Sequence, residues 1–200
     1  MVGVPEPLLV LASGSPRRSE LLGRVVAEFR VDPADVDERP LRFEDPSGYV
    51  ARLSLEKARA VAARWPGAFV LGSDTTISLD GKIVGKPEGE ADARRILQRM
   101  SGRTHEVLTG VALVVPPLPG GQAEEPRVLV ERAEVTFRDL EPGEVDAYVA
   151  GGEPMGKAGA YAIQGDGAAL VERVEGDRTT VIGLPVDRTR LLLSEARYPI

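Results

Sequence analysis

The 200-residue chain has no cysteine and one histidine, His105. Disulfides and thiolate metal centres are therefore excluded, and a zinc site would have to be built almost wholly from carboxylates, against zinc's preference for nitrogen and sulfur. Hard oxygen ligands point instead to Mg²⁺ or Mn²⁺. Basic residues are also short, 25 Lys and Arg against 31 Asp and Glu, a formal net charge of −6. An acidic chain is a poor candidate for wrapping a long duplex, whose affinity comes from phosphate neutralisation. A stable nucleic-acid complex is not expected, although a local basic pocket for a small anion stays open. No apolar run approaches the roughly 18 residues of a membrane span. The opening MVGVPEPLLVLAS lacks the basic start of a signal peptide. A cytoplasmic protein without membrane partners is expected. At 42% hydrophobic and 28% charged, the chain suits one soluble globular domain spanning 1–200.

The apolar run at 8–12 (LLVLA) reads as a buried strand. Ser15 is then a plausible N-cap, with Pro16 at the first helical position and the helix running to about Gly23. Residues 25–31 read as a second strand, followed by an acidic, proline-punctuated loop at 32–46. The clearest helix is 47–65, where Val50, Leu53, Ala58, Val61, Ala62 and Trp65 share a face and Pro66-Gly67 stops it. Residues 69–72 read as a strand ending at Gly72-Ser73-Asp74, and 77–85 as a hairpin around Asp80-Gly81. A helix is expected over 91–100, long strands over 105–115 and 127–138, and a short helix over 144–150. The link PPLPGGQAEEP (116–126) is the most loop-like segment and the one expected to be most mobile. Residues 160–163, 169–174 and 179–182 look strand-like, and 185–195 helical. Strands and helices intermix without strict alternation, which predicts an α/β fold with a mixed sheet.

Several segments carry chemistry. In LASGSPRRSELL (11–22), a strand, a Gly-Ser turn and a helix start bring free N–H groups together, with the hydroxyls of Ser13 and Ser15. Arg17 and Arg18 fall in the first turn, where the helix dipole disfavours cations unless an anion is bound. A phosphate site and a capped surface helix with solvated arginines are both compatible with this stretch. In LGSDTTI (71–77), Asp74 reads either as a metal ligand or base at a strand end, or as a turn-initiating Asp. Asp35, Asp37 and Glu38 offer a further oxygen ligand, or simply a solvated charge run. GKP (85–87) and KAGAYAIQG (157–165), with the donor and acceptor of Gln164, each also have an ordinary loop reading. The sequence GGEPMGKA (151–158) has the glycine and lysine spacing of a P-loop, but Ala158 stands where Ser or Thr is needed and a helix precedes it, so a P-loop is rejected. His105, alone, reads as structural.

Taken together, these segments resemble the Maf family of nucleotide pyrophosphatases, also called septum-formation inhibitors. The resemblance covers nearly the whole chain in order: LASGSPRRSELL, DVDE (35–38), LEKA (55–58), LGSDTTI, GKP, SGRTHEVLTG (101–110), VTFRDL (135–140), GGEP, KAGAYAIQG and VIGLP (181–185). It implies a mixed central sheet flanked by helices, of the Maf/inosine triphosphatase type, with a cleft between two lobes. It implies metal-assisted hydrolysis of a nucleoside triphosphate to the monophosphate and pyrophosphate. Asp74-Thr75 followed by the Gln of AYAIQG is similar to the subgroup acting on dTTP and UTP, where a 7-methyl-GTP subgroup reads Asp-Gln. Arg17, Thr75 and Gln164 are carried over as base-selecting. A glutamine amide matches the carbonyl, N–H, carbonyl edge of uracil and thymine, whereas a methylated guanine favours stacked aromatics, and this chain has four Phe, four Tyr and one Trp. One departure is Gly156, where the family usually has Asp before the lysine.

The mechanism implied lays the triphosphate along Ser13, Ser15, Arg17 and Arg18, with Arg18, Lys57 and Lys86 neutralising charge. Glu38 and Asp74 hold Mg²⁺ or Mn²⁺, and Asp74 takes a proton from the attacking water. Modified pyrimidine nucleotides, pool cleansing and cell-division arrest come with the resemblance. A homodimer is left open. The alternative is a non-catalytic regulator of septum formation that binds a nucleotide or nucleic acid.

Overall fold

A computed structural model describes residues 7–117 and 124–200, and all that follows concerns these residues. Most of the link expected to be mobile, and the first residues considered for a signal peptide, lie outside them.

The sheet has seven strands in the order β2-β1-β3-β5-β6-β7, with β4 paired to β3. β1 (Leu9–Leu11) pairs in parallel with β2 (Arg30–Val31) and with β3 (Phe69–Leu79). From β3 onward the pairing is antiparallel, through β5 (Thr104–Val114), β6 (Arg127–Phe137) and β7 (Val171–Glu175). The mixed sheet expected is thus present. The β3–β4 hairpin (β4, Lys82–Val84) turns on Asp80 and Gly81, both at positive φ (54° and 73°), as a tight two-residue turn requires.

The helix α2 (Pro46–Ala62) covers one sheet face. Asp45 caps it, its carboxylate accepting from the Ser47 and Gly48 amides. Ala58 and Val61 pack on Val10, Val70 and Ala112 of the strands, and Trp65, half-buried against them, donates its indole N–H to Asp32. The opposite face carries two apolar clusters. Around Phe69 and Leu71 pack α1 (Pro16–Leu22) and α6 (Val186–Glu195). Around Ile77 and Leu79 pack α3 (Glu90–Met100) and α4 (Pro142–Ala150), with Phe137, Leu97 and Met100 fully enclosed. Each such side chain contributes about 1.5–3 kcal/mol by leaving water. Strand β3 runs through both clusters, and the polar Ser73 and Thr75 separate them on this face, so the cleft falls between the two lobes.

Four expectations need correction. Residues 25–31 yield only the two-residue β2, because Val25 and Val26 turn inward to the α1 cluster. Strand β3 does not end at Gly72 but continues to Leu79, since β5 pairs with it throughout. Residues 160–163 form no strand, because a 3₁₀ turn with Gly159 and Ala160 at positive φ leads into them and no strand pairs there. Residues 178–182, rich in β-branched side chains, form the short helix α5 (Arg178–Ile182), capped by Asp177 and stopped by Gly183 at φ 126°.

Candidate active site

Strand β1 ends at Leu11 opposite Leu71, and β4 joins β3 only from Ile77. Between these points β3 has an open edge. Phe69 donates its amide to β1 and Leu71 accepts from Ala12, so by strand alternation the backbone groups of Ser73 and Thr75 face this gap. A cavity of about 700 Å³ occupies it, lined by Arg17, Arg18, Lys57, Asp74, Thr75 and Lys86 among others. Cationic side chains outnumber carboxylates on its wall six to three, in a chain of net charge −6. The wall carries a local excess of positive charge inside an acidic protein.

Asp74 stands mid-strand, on the face covered by α2, and is neither at a strand end nor in a turn. Its Oδ1 accepts from Lys57 Nζ at 2.6 Å, and both side chains are buried. This contact exists because α2 lies almost on the sheet backbone. A Cβ on Gly72 would come 2.1 Å from the Ser54 carbonyl oxygen, and one on Gly110 would come 2.2 Å from that of Val50. Only glycine admits the helix this close at both places. Lys57 also donates to Glu38 Oε1 (2.7 Å), and Lys86 donates to Glu38 Oε2 (2.7 Å). The result is an alternating chain, Asp74–Lys57–Glu38–Lys86. Burial opposes ionisation of Glu38, but the hydrogen bonds from Lys57 and Lys86 outweigh it and hold its carboxyl down at about 2. Tyr49 of α2 donates to the Glu38 carbonyl at 2.8 Å and so ties the acidic loop to the helix. Burial, with Asp74 and Glu38 nearby, pushes the Tyr49 phenol up to about 12. Asp37 turns outward to Arg39, and Asp35 is not on the wall.

The two arginines behave differently. Arg17 has no hydrogen bond or ion pair among the described residues and faces the cavity. Arg18 is half-buried and held only by neutral oxygens: Nε donates to the Gly183 carbonyl (2.9 Å), Nη1 to Ser13 Oγ (3.3 Å) and Nη2 to Thr75 Oγ1 (3.1 Å). Burial pulls its pKa below the usual guanidinium value, against the attraction of Asp74 and Glu38. Neither arginine touches a carboxylate, so both charges are available to an anion. Ser15 is the N-cap of α1 but makes no side-chain cap bond, and its own amide donates to Ser13 Oγ at 3.2 Å. Ser13 is buried behind the wall while Ser15 lines it.

Thr75 extends this network inward. Its hydroxyl bonds Thr109 Oγ1 at 2.9 Å, and Thr109 donates to the Thr180 carbonyl at 2.7 Å. Thr109 and Gly183 lie within the motifs SGRTHEVLTG and VIGLP, but neither they nor Tyr49 is singled out by the sequence. Thr109 precedes a mid-strand glycine, but only the β3–β5 register places it opposite Thr75.

The KAGAYAIQG segment supplies Tyr161, Ala162 and Ile163 to the wall, while Gln164 is exposed and does not line it. Lys157 lines the cavity, with its ammonium on the Glu153 carbonyl oxygen. Gly156 has φ 74° and nothing within 4 Å of a Cβ placed there. Glu153 of GGEP binds inward instead, accepting from Tyr148 (2.8 Å) and from the Asp166 and Gly167 amides. The 151–158 stretch forms turns after α4, without the helix a P-loop needs. His105 is buried against Phe137 and Tyr161. Among the described residues, no three His, Cys, Asp or Glu side chains cluster to hold a metal unaided, and no helix is long and apolar enough to cross a membrane.

A family model described as Maf-like protein matches residues 8–196. A protein of Myxococcus xanthus called dTTP/UTP pyrophosphatase is 50% identical over 195 residues, 98% of this chain and 95% of the relative. One of Moorella thermoacetica with the same name is 50% identical over 187 residues, 93% of each. In fold, the chain is similar to a HAM1 protein from Coxiella burnetii, with a TM-score of 0.54 at 17% identity over 94% of this chain and 99% of that one.

Proposed function

This chain belongs to the Maf family, and from that premise we propose that it hydrolyses dTTP and UTP to the monophosphate and pyrophosphate. The observation that carries the reading is Asp74: Lys57 holds Oδ1, while Oδ2 accepts no hydrogen bond among the described residues in a cavity walled by cations.

In this reading the triphosphate lies between α1 and the Lys57–Lys86 side. Arg18 neutralises phosphate oxygens with N–H groups that no carboxylate occupies. Ser13 Oγ, behind the wall, accepts from Arg18 and from the Ser15 amide and so holds both in place for the phosphate. Ser15 adds a hydroxyl. Lys86, half-exposed at the mouth, exchanges Glu38 for phosphate. Asp74 Oδ2 takes a proton from a water aimed at the α-phosphorus, and Lys57 keeps the carboxylate oriented while it does so. Attack forms the new P–O bond, the α–β bridge breaks, and pyrophosphate leaves into the cationic wall. Positioning and charge stabilisation supply most of the acceleration.

The donor set suits a hard divalent cation. Asp74 and Glu38 meet on one ammonium, so two carboxylates already converge. Mg²⁺ needs only one or two carboxylates when phosphates and water complete its shell. Bound there by Glu38 and Asp74, Mg²⁺ or Mn²⁺ would screen the phosphate oxygens and make phosphorus more electrophilic. Arg17, Thr75 and Gln164 are proposed to select the base, with Gln164 reaching in from the rim beside Ile163. The chain is proposed to act as one domain in the cytoplasm, removing these nucleotides or modified relatives from the pool.

The test is release of pyrophosphate from dTTP or UTP with Mg²⁺, by the protein as it is and by Asp74→Asn. The variant should stay folded and lose about 10²–10⁴-fold in turnover. No pyrophosphate from the unaltered protein would favour a non-catalytic nucleotide-binding role. Full activity in D74N would remove Asp74 as the base.

A further inference from the structure

The geometry points to Thr109 as a positioning residue that sets which nucleobase the cavity accepts, by making the Thr75 hydroxyl a pure hydrogen-bond acceptor. The inference rests on the proposed hydrolysis of dTTP and UTP and adds the device that excludes cytosine.

One chain of contacts fixes where each hydroxyl hydrogen lies. Arg18 Nη2 only donates, and the Thr180 carbonyl only accepts. Thr109 has one hydroxyl hydrogen and spends it on Thr180 at 2.7 Å. In the 2.9 Å contact between Thr75 and Thr109, the donor is therefore Thr75. Arg18 fills one lone pair of Thr75 Oγ1 at 3.1 Å. What remains toward the cavity is one lone pair and no hydrogen. Thr109 itself is fully buried and does not line the cavity, so it touches no ligand.

An oxygen of this kind repels phosphate oxygens, which carry no hydrogen to give. It welcomes a ring N–H. Uracil and thymine carry N–H at ring position 3, and cytosine presents a bare lone pair there. Thr75 thus faces the base, and its fixed polarity favours uracil and thymine. Without Thr109, the Thr75 hydroxyl is free to turn its hydrogen toward cytosine.

The test compares kcat/KM for dTTP and dCTP, by pyrophosphate release, in the unaltered protein, Thr109→Val and Thr109→Ser. T109S keeps the relay and should hold the dTTP:dCTP ratio within about twofold, whereas T109V should lower it on the order of tenfold. An unmoved ratio in folded T109V overturns the inference. A second measurement needs no variant. CTP is compared with 3-deazacytidine triphosphate, whose C–H replaces the ring-3 lone pair. An acceptor at that point makes the deaza analogue the better substrate, and a preference for CTP overturns the inference even if T109V does not fold. Absence of any turnover of dTTP and UTP would fell the proposed function and this inference with it. Turnover with an unmoved ratio would fell only the inference.

Discussion

Gly110 stands directly across the β3–β5 ladder from Asp74, and a Cβ in its place would lie 2.2 Å from the Val50 carbonyl oxygen of α2. That oxygen is helix backbone and has no flexible end to move aside. Gly110→Ala should push α2 outward and lift Lys57 from Asp74. Overpacking of this kind costs about 1–3 kcal/mol, read as a lower urea midpoint, and turnover should fall with it. Gly143→Ala in α4 is the control, because nothing lies within 4 Å of a Cβ there. It should leave both stability and turnover unchanged or slightly raised.

Among the described residues Lys57 is the only bridge between Asp74 and Glu38, and its side chain is 9% exposed against 10% for Asp74. Lys57→Met leaves a buried carboxylate without its counter-charge, which costs about 3–5 kcal/mol at neutral pH. Glu38 adds a pH signature. Its carboxyl, held at about 2, stabilises the fold above the ordinary carboxylate range and loses that contribution as pH falls through the folded value. Removing one of its two ammonium partners shrinks this gain. The gap in melting temperature between K57M and the parent should therefore hold from pH 7 to about pH 5 and narrow as pH falls from there toward 2. A constant gap would place the Lys57 contribution in packing instead.

Much of this arrangement was legible in the chain, and its failures share one cause. The hairpin at Asp80-Gly81, the two long strands and the α2 stripe depend on local chemistry, and all form. Gly72 to Asp74 read as the end of a strand because the apolar run stops there. They continue as a strand because β5 lies beside them and α2 above, facts no local window contains. Thr179 to Ile182 read as a strand from β-branched side chains, yet Asp177 caps them as a helix; its Thr180 carbonyl receives Thr109, and the Gly183 carbonyl just past its end receives Arg18 and Ser73. On the cavity wall, Arg17, Arg18, Lys57, Asp74 and Lys86 all belong to motifs that single them out in the sequence. The depth of Lys57 was not, since it follows from two glycines on separate strands beneath one helix.

Gln164 offers a contrast with the buried relay. Its side chain is exposed and off the cavity wall, so any hydrogen bond it gives a base competes with water. Open to water, such a bond falls in the lower part of the usual range and nets about 0.5–1 kcal/mol. Gln164→Ala should narrow the dTTP:dCTP ratio of kcat/KM by only about two- to fivefold, less than T109V. A larger loss would mean that the segment after Ile163 closes over the substrate.

His105 gives the fold an acid limit of its own. Its Nε2 meets the Tyr161 hydroxyl at 2.9 Å, Nδ1 has no partner among the described residues, and burial pushes its pKa down to about 4. The folded state thus holds the ring neutral, while the unfolded chain takes up a proton near 6.5. Stability from this group is complete above that value and is lost as pH falls toward 4, at about 1.4 kcal/mol per pH unit. No other histidine exists to share the effect. His105→Gln keeps a hydrogen-bonding partner for Tyr161 and cannot titrate in this window. Between pH 7 and pH 5 the melting temperature of the parent should therefore fall more steeply than that of H105Q. Parallel slopes would move the acid sensitivity to the carboxylates and leave His105 as packing alone.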